Sequence, residues 1–143
     1  MARAVSRSRP KKKTPKNGAP PVLIVEGRFY RDIVDDLALG AIAALQAAGV
    51  PYERLAVPGA FEVPAAIRLV ARSKRGRRYG GYLALGCVLR GQTEHYDHIC
   101  REVSRAIMDL GVADGLAVGF GILTCPTHAL AQERAAPDKK NKG

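Results

Sequence analysis

The chain has 143 residues, 47% of them apolar, and a formal net charge of +10. That length holds one domain with a full core, and no apolar stretch is long and uncharged enough to span a bilayer. The basic start lacks the apolar segment of a secretory signal, and three cysteines without a CxxC pair point to reduced thiols in the cytoplasm rather than to disulfides or zinc.

In chain order, residues 1–21 come first as a basic tail. They hold seven Lys or Arg (Arg3, Arg7, Arg9, Lys11, Lys12, Lys13, Lys16) and no acid, which leaves sixteen basic against thirteen acidic residues in the remainder. Such a tail is expected to be disordered, as a solvated arm or as an electrostatic contact for nucleic acid. The single domain is expected over residues 22–143. Val22 to Val25 reads as the first strand and Gly27 to Tyr30 as a turn. A helix follows from Asp32, a good N-cap residue, to Ala48; Ile33, Leu37, Ala41 and Leu45 lie on its stripe and Gly49 closes it. A short second strand, Leu55 to Val57, ends at Pro58-Gly59, and the second helix covers Val63 to Ser73 with Pro64 in its first turn. Arg72 to Arg78 reads as a solvated basic loop. The third strand is Tyr82 to Val88 and the third helix Tyr96 to Leu110, with Ile99, Val103, Ile107 and Leu110 on one face. The fourth strand is Leu116 to Leu123. The fourth helix starts at Pro126 and reaches Ala135, and Lys139 to Gly143 forms a polar tail.

Strands alternating with helices imply a parallel sheet covered on both faces. Right-handed crossovers then give an α/β fold, a three-layer α/β/α sandwich of flavodoxin-like type with a four-stranded parallel sheet. So small a sheet leaves exposed edges, and a homo-oligomer is expected.

In such folds ligands bind beyond the carboxyl ends of the strands. Phe29 follows the first strand; Gly59, Ala60, Phe61 and Glu62 follow the second; Arg90 to His95 follow the third; the fourth offers Phe120 and Thr124. Together they present aromatic faces for a planar ring, one carboxylate, and helix-start N–H groups that attract phosphate. His95, in the first helical turn, is placed to move protons. The set fits a planar hydroxylated compound together with a phosphorylated one. No Walker loop, GxGxxG or local triad motif is present. No lysine sits at a strand end to form a Schiff base. His98 and His128 read as structural, Asp97 as support for the helix start, and Arg90 either as an anchor of its turn or as a substrate contact.

Five stretches then carry a resemblance: Gly27-Arg28-Phe29, Val57 to Pro64 (VPGAFEVP), Leu85 to Asp97 (LGCVLRGQTEHYD), Phe120 to Thr124 (FGILT) and Glu133-Arg134-Ala135. In order and spacing, over about residues 22–143, the chain resembles the lumazine synthases of riboflavin biosynthesis. The resemblance implies a cytoplasmic, cofactor-free transferase without a metal. It would condense 5-amino-6-(D-ribitylamino)uracil with 3,4-dihydroxy-2-butanone 4-phosphate to give 6,7-dimethyl-8-ribityllumazine. It implies sites between the subunits of a homo-oligomer, a pentamer or a multiple of one, with small-molecule substrates and neither a membrane nor a nucleic-acid partner. Residue by residue, it implies that Phe29 stacks on the pyrimidine and that Ala60 and Phe61 offer backbone groups. Glu62 accepts hydrogen bonds from ribityl hydroxyls, and Val88 and Leu89, with Cys87 beside them, line the pyrimidine pocket. Gln92 and Thr93 hold phosphate, and His95 is the catalytic proton shuttle. Phe120 and Arg134 match residues that a neighbouring subunit supplies, with Arg134 on the phosphate; Lys142 matches a lysine on the pyrimidine side.

Two features depart from the family pattern. Tyr30 stands where members usually have Asn, less often Ser or Thr, and the chain stops at Gly143, where members normally continue into a final helix. Two other readings stand beside the enzyme: a non-catalytic lumazine- or flavin-binding relative, and a structural shell whose basic tail takes an anionic partner.

Overall fold

A computed structural model describes residues 18–143, so the basic tail expected over residues 1–21 lies outside the described residues up to position 17. Strand β1 (Val22–Gly27) is apolar on both faces. Leu23 and Val25 point into one helical layer and Ile24 into the other, the pattern of a strand covered on two sides. The chain continues through α1 (Arg31–Ala48), β2 (Tyr52–Val57), α2 (Val63–Arg72), β3 (Gly81–Leu89), α3 (His95–Val112), β4 (Val118–Cys125) and α4 (His128–Ala135). The described sheet has the order β2-β1-β3-β4, and every pairing is parallel. This is the three-layer, flavodoxin-like arrangement expected from the sequence.

Helices α1 and α4 cover one face, where Ile33, Leu37, Ala131 and Ala135 pack on Ile24, Leu85, Leu123 and Cys125. Helices α2 and α3 cover the other, where Val63, Ile67, Val103 and Ile107 pack on Leu23, Val25, Ala84 and Ile122. Each fully buried aliphatic side chain stabilises the fold by roughly 1.5–3 kcal/mol. None of the described helices is long and apolar enough to cross a membrane. The strand order reverses between β1 and β3, so the connections leaving their carboxyl ends diverge and open a crevice there.

Several element boundaries differ from expectation. Tyr30, not Asp32, occupies the N-cap of α1. The Asp32 carboxylate instead reaches α4, where it meets His128 Nε2 at 3.0 Å and accepts a hydrogen bond from Gln132 at 3.3 Å. β2 begins at Tyr52, three residues early: Tyr52, Glu53 and Arg54 pair in register with Val22, Leu23 and Ile24 of β1, and the two charged side chains find partners in Arg78 and Glu26. β4 is shifted to Val118–Cys125, and α4 starts at His128 behind an N-cap Thr127 whose hydroxyl accepts from the Leu130 N–H. The basic stretch after α2 is not an open loop: Lys74–Arg78 forms a 3-10 turn. The C-terminal residues also fold back. Lys142 N–H donates to the Arg134 carbonyl at 2.7 Å, and Gly143 lies against Leu37.

Candidate active site

A cleft of about 370 Å³ opens at the carboxyl ends of β1, β2 and β3. Its first wall is the β1–α1 turn. Phe29 is 73% exposed there, and its ring meets Tyr30 edge to face at 4.9 Å between centroids. Water is a poor neighbour for so much aromatic surface, so the ring is available for a planar partner. The turn after β2 presses against this one. A Cβ on Gly27 would lie 2.6 Å from Ala60 N and from the Gly59 carbonyl carbon, so only glycine fits at position 27. The second turn continues as a 3-10 turn, Ala60–Glu62, with Ala60 buried and Phe61 58% exposed.

Behind the Phe29 turn sits Glu26, buried at 2% exposure. Its carboxylate accepts from Arg54 Nε and Nη2 at 2.7 and 2.8 Å and from Arg28 Nη1 at 2.8 Å. Arg28 also reaches Asp35 on α1 at 2.6 Å, so its guanidinium is held charged, first by that hydrogen bond. The network ties β1, β2 and α1 together at the base of the aromatic wall.

The third wall is β3 and the turn into α3. Cys87 and Val88 are buried there. Burial pushes the Cys87 thiol up to about 12, and Cys125 adds to the effect, so Cys87 is a neutral, small apolar surface and not a thiolate nucleophile. Arg90 makes the contacts of a turn anchor. Its N–H donates to the Cys125 carbonyl at 3.0 Å, its guanidinium lies 4.8 Å from the Tyr96 ring centroid, and it pairs with Asp97 at 3.7 Å. Burial raises the Tyr96 phenol, and a hydrogen bond with Thr124 of β4 opposes that rise. At the helix start the His95 N–H donates to Thr93 Oγ1 at 3.3 Å, and both residues line the cleft. An acceptor-rich anion placed there would meet the positive end of the 18-residue helix α3. Among the described residues, no three His, Cys, Asp or Glu side chains form a metal-holding group.

The structure thus brings Phe29, Ala60, Phe61 and Glu62 opposite Cys87, Val88, Leu89, Thr93 and His95. It does not bring Gln92, Phe120, Arg134 or Lys142 to that cleft. Phe120 lies mid-strand in β4, opposite Ala84 and half-exposed; Arg134 is near the end of α4. Tyr96 and Ile99 line the cleft without having been expected there, and so does Tyr30, the departure from the family pattern. Ile99 reads as core from its periodicity, yet it stands one helical turn after His95, and that spacing is the signal for a shared face.

A family description of 6,7-dimethyl-8-ribityllumazine synthase matches residues 20–143. The chain is similar to the protein of that name from Bartonella tribocorum, with 51% identity over 124 residues, 87% of the chain and 81% of the relative. It is 48% identical over 142 residues to the one from Nitrobacter winogradskyi, covering 98% of the chain and 87% of the relative. It is 52% identical over 124 residues to the one from Afipia carboxidovorans, covering 85% and 76%.

Proposed function

The chain belongs to the 6,7-dimethyl-8-ribityllumazine synthase family, and from that premise we propose that its cleft at the carboxyl ends of β1 and β3 is the seat of the synthase reaction. The enzyme is a transferase of riboflavin biosynthesis. The amine of 5-amino-6-(D-ribitylamino)uracil attacks the ketone of 3,4-dihydroxy-2-butanone 4-phosphate; imine formation, loss of phosphate and ring closure give 6,7-dimethyl-8-ribityllumazine.

The observation that carries the assignment of the site is the convergence of Phe29, Glu62, Thr93 and His95 on one crevice. In this reading Phe29 stacks on the flat pyrimidine. The backbone at Ala60 and Phe61 and the Glu62 carboxylate take up the ribityl chain, which carries a row of hydroxyl donors. Cys87, Val88 and Leu89 exclude water from the ring. Thr93 holds the phosphate at the start of α3, and Gln92, which does not line the cleft, joins it only if its side chain turns toward the bound phosphate. His95 takes and returns the protons that the carbonyl oxygen and the amine exchange.

Phe120, Arg134 and Lys142 belong to the site only if a second subunit contributes, and we assign Phe120 and Arg134 to the cleft of a neighbour. What supports this is a half-exposed phenylalanine on β4, an edge strand of the described sheet, together with exposed Leu39, Leu69, Met108 and Val112 on the helices. Such surface is typical of a protein that buries it against its own copies. A pentamer or a multiple of pentamers is the assembly we propose, and three unpaired thiols fit a cytoplasmic location.

The test follows lumazine formation from the two substrates by absorbance. Wild-type protein is expected to accelerate it over the protein-free mixture, and His95→Ala to lower kcat by about 10- to 1000-fold, less than the roughly 100- to 10,000-fold typical of a positioned proton carrier because spontaneous imine chemistry leaves a residual rate. An unchanged kcat in His95→Ala would remove the histidine from its role.

A further inference from the structure

Tyr30 is the N-cap residue of α1, a position where a short polar side chain commonly accepts one of the free N–H groups of the helix start. Its carbonyl takes the Val34 N–H at 3.0 Å, but its side chain makes no capping hydrogen bond. The ring goes elsewhere. It lines the cleft beside Phe29, and the two rings meet at 4.9 Å between centroids with 76° between their planes. That is the edge-to-face contact that the charge distribution of aromatic rings favours. In either sense of the contact, at least one face of Phe29 is left free.

On its other side Tyr30 faces His128, 6.4 Å away between centroids and inclined by 65°. The imidazole is itself oriented, because Nε2 lies 3.0 Å from the Asp32 carboxylate. The same carboxylate accepts from Gln132, one turn further along α4, at 3.3 Å. Phe29, Tyr30 and His128 therefore form a row of rings from the cleft to the first turn of α4. Its middle member is partly buried against the layer that α1 and α4 build.

Phe29 needs such a support. At 73% exposure it has little around it, and exposed side chains change rotamer within nanoseconds. Apparent affinity falls with the fraction of clefts whose ring stands ready to stack. A ring held by a fixed neighbour starts closer to its bound arrangement and loses less freedom when the ligand arrives. We propose that Tyr30 is a positioning residue for the pyrimidine substrate: its ring, backed by His128, holds Phe29 in the stacking orientation and so sets the affinity for the flat ring. The inference rests on the assignment of the cleft to the synthase reaction. It assigns the effect to the tyrosine ring, not to its hydroxyl. It also confines the effect to the pyrimidine side, because Thr93 and His95 stand on the opposite wall.

The test uses the full chain. Calorimetry gives the Kd of 6,7-dimethyl-8-ribityllumazine, and the synthase assay gives kcat and the KM of each substrate. Tyr30→Asn is expected to raise the Kd and the pyrimidine KM by about 2- to 10-fold, the range set by one aromatic pair. Its kcat and its KM for the phosphorylated substrate should stay at the wild-type level. Tyr30→Phe keeps the ring and should match the wild type, and His128→Ala should raise the same two constants by a smaller factor. In a Phe29→Leu background Tyr30→Asn should cost nothing further, because the side chain through which it acts is gone. The proposal is overturned by a wild-type Kd in Tyr30→Asn or in His128→Ala, or by a Tyr30→Phe as weak as Tyr30→Asn. It is equally overturned by a loss of the same size with and without Phe29, which would put Tyr30 itself on the ligand or in the stability of the fold. A wild type that neither forms nor binds the lumazine overturns this inference together with the assignment of the cleft; normal turnover with equal Kd values overturns the inference alone.

Discussion

Cys87 shows how burial fixes the chemistry of one side chain. It stands in the cleft wall, yet its thiol is raised from the ordinary 9.0 to about 12, first by burial and then by Cys125. The folded chain therefore keeps a proton that the unfolded chain releases once the pH passes about 9. Below that value both states hold the proton and the contribution to stability is fully present; as the pH climbs from there toward 12 it is lost. Burial raises the Tyr82 phenol too, with the same sign. The urea midpoint of the wild type should fall as the pH is raised above about 9, and that of Cys87→Ala, which has no proton to keep, should fall less steeply. Parallel curves for the two proteins would show that Cys87 titrates as in water. A thiolate mechanism has no place in this cleft at neutral pH, in keeping with the proposal that His95 carries the protons.

At the scale of elements, the Phe29 turn is held by Glu26, the one buried charged side chain among the described residues. A carboxylate at 2% exposure is tolerated only because Arg54 and Arg28 supply three hydrogen bonds to it. Glu26→Gln keeps the size and removes the charge. Both arginines are partly exposed and can turn to water, so the expected loss is about 1.5–3 kcal/mol, the range for hydrogen bonds to a charged group. It should appear as a lower urea midpoint at an unchanged m-value. A looser β1–α1 turn should also raise KM for the pyrimidine substrate more than it lowers kcat; equal stability and equal KM would show that the network holds nothing in place. None of this network is visible in a single sequence. An acid at the end of Val-Leu-Ile-Val-Glu reads as the end of the strand, and Arg54 lies 28 residues away in a stretch whose charges hide the first half of β2. The bonds of Arg75 and Arg78 to Tyr79 are hidden in the same way, because a run of cations reads as solvated until a partner distant in sequence is placed beside it. Helix α3 is legible for the opposite reason: its apolar period is local and uninterrupted, and the turn before it carries a glycine and a threonine and its first residue is a histidine, the marks of a ligand-binding helix start. The residues of the cleft follow from the strand ends for the same reason, since the fold alone dictates where those ends point.

At the scale of the whole molecule, the distribution of the expected site residues is itself informative. Nine of them meet in the cleft, while Phe120 and Arg134 sit on β4 and α4, away from it. A single chain with this sheet order has no movement short of unfolding that would carry an edge strand to the crevice. A closed ring of copies would let each edge serve the next subunit's cleft. This arrangement makes a prediction that no single-chain site can imitate. In that proposed arrangement His95→Ala would lack the proton carrier of its own cleft but still lend Arg134 to its neighbour, and Arg134→Ala would keep His95 but lend no phosphate ligand. Each variant alone should be severely impaired. After dissociation and joint reassembly at equal amounts, a cleft that retains His95 is followed by a subunit that retains Arg134 in about one quarter of random neighbour pairs. Synthase activity in the mixture should therefore climb toward roughly a quarter of the wild-type value, with the kcat of the restored sites and their KM for the phosphorylated substrate both at wild-type level. A mixture no more active than the mean of its two components would place Arg134 and His95 in the same subunit's site, or Arg134 in none.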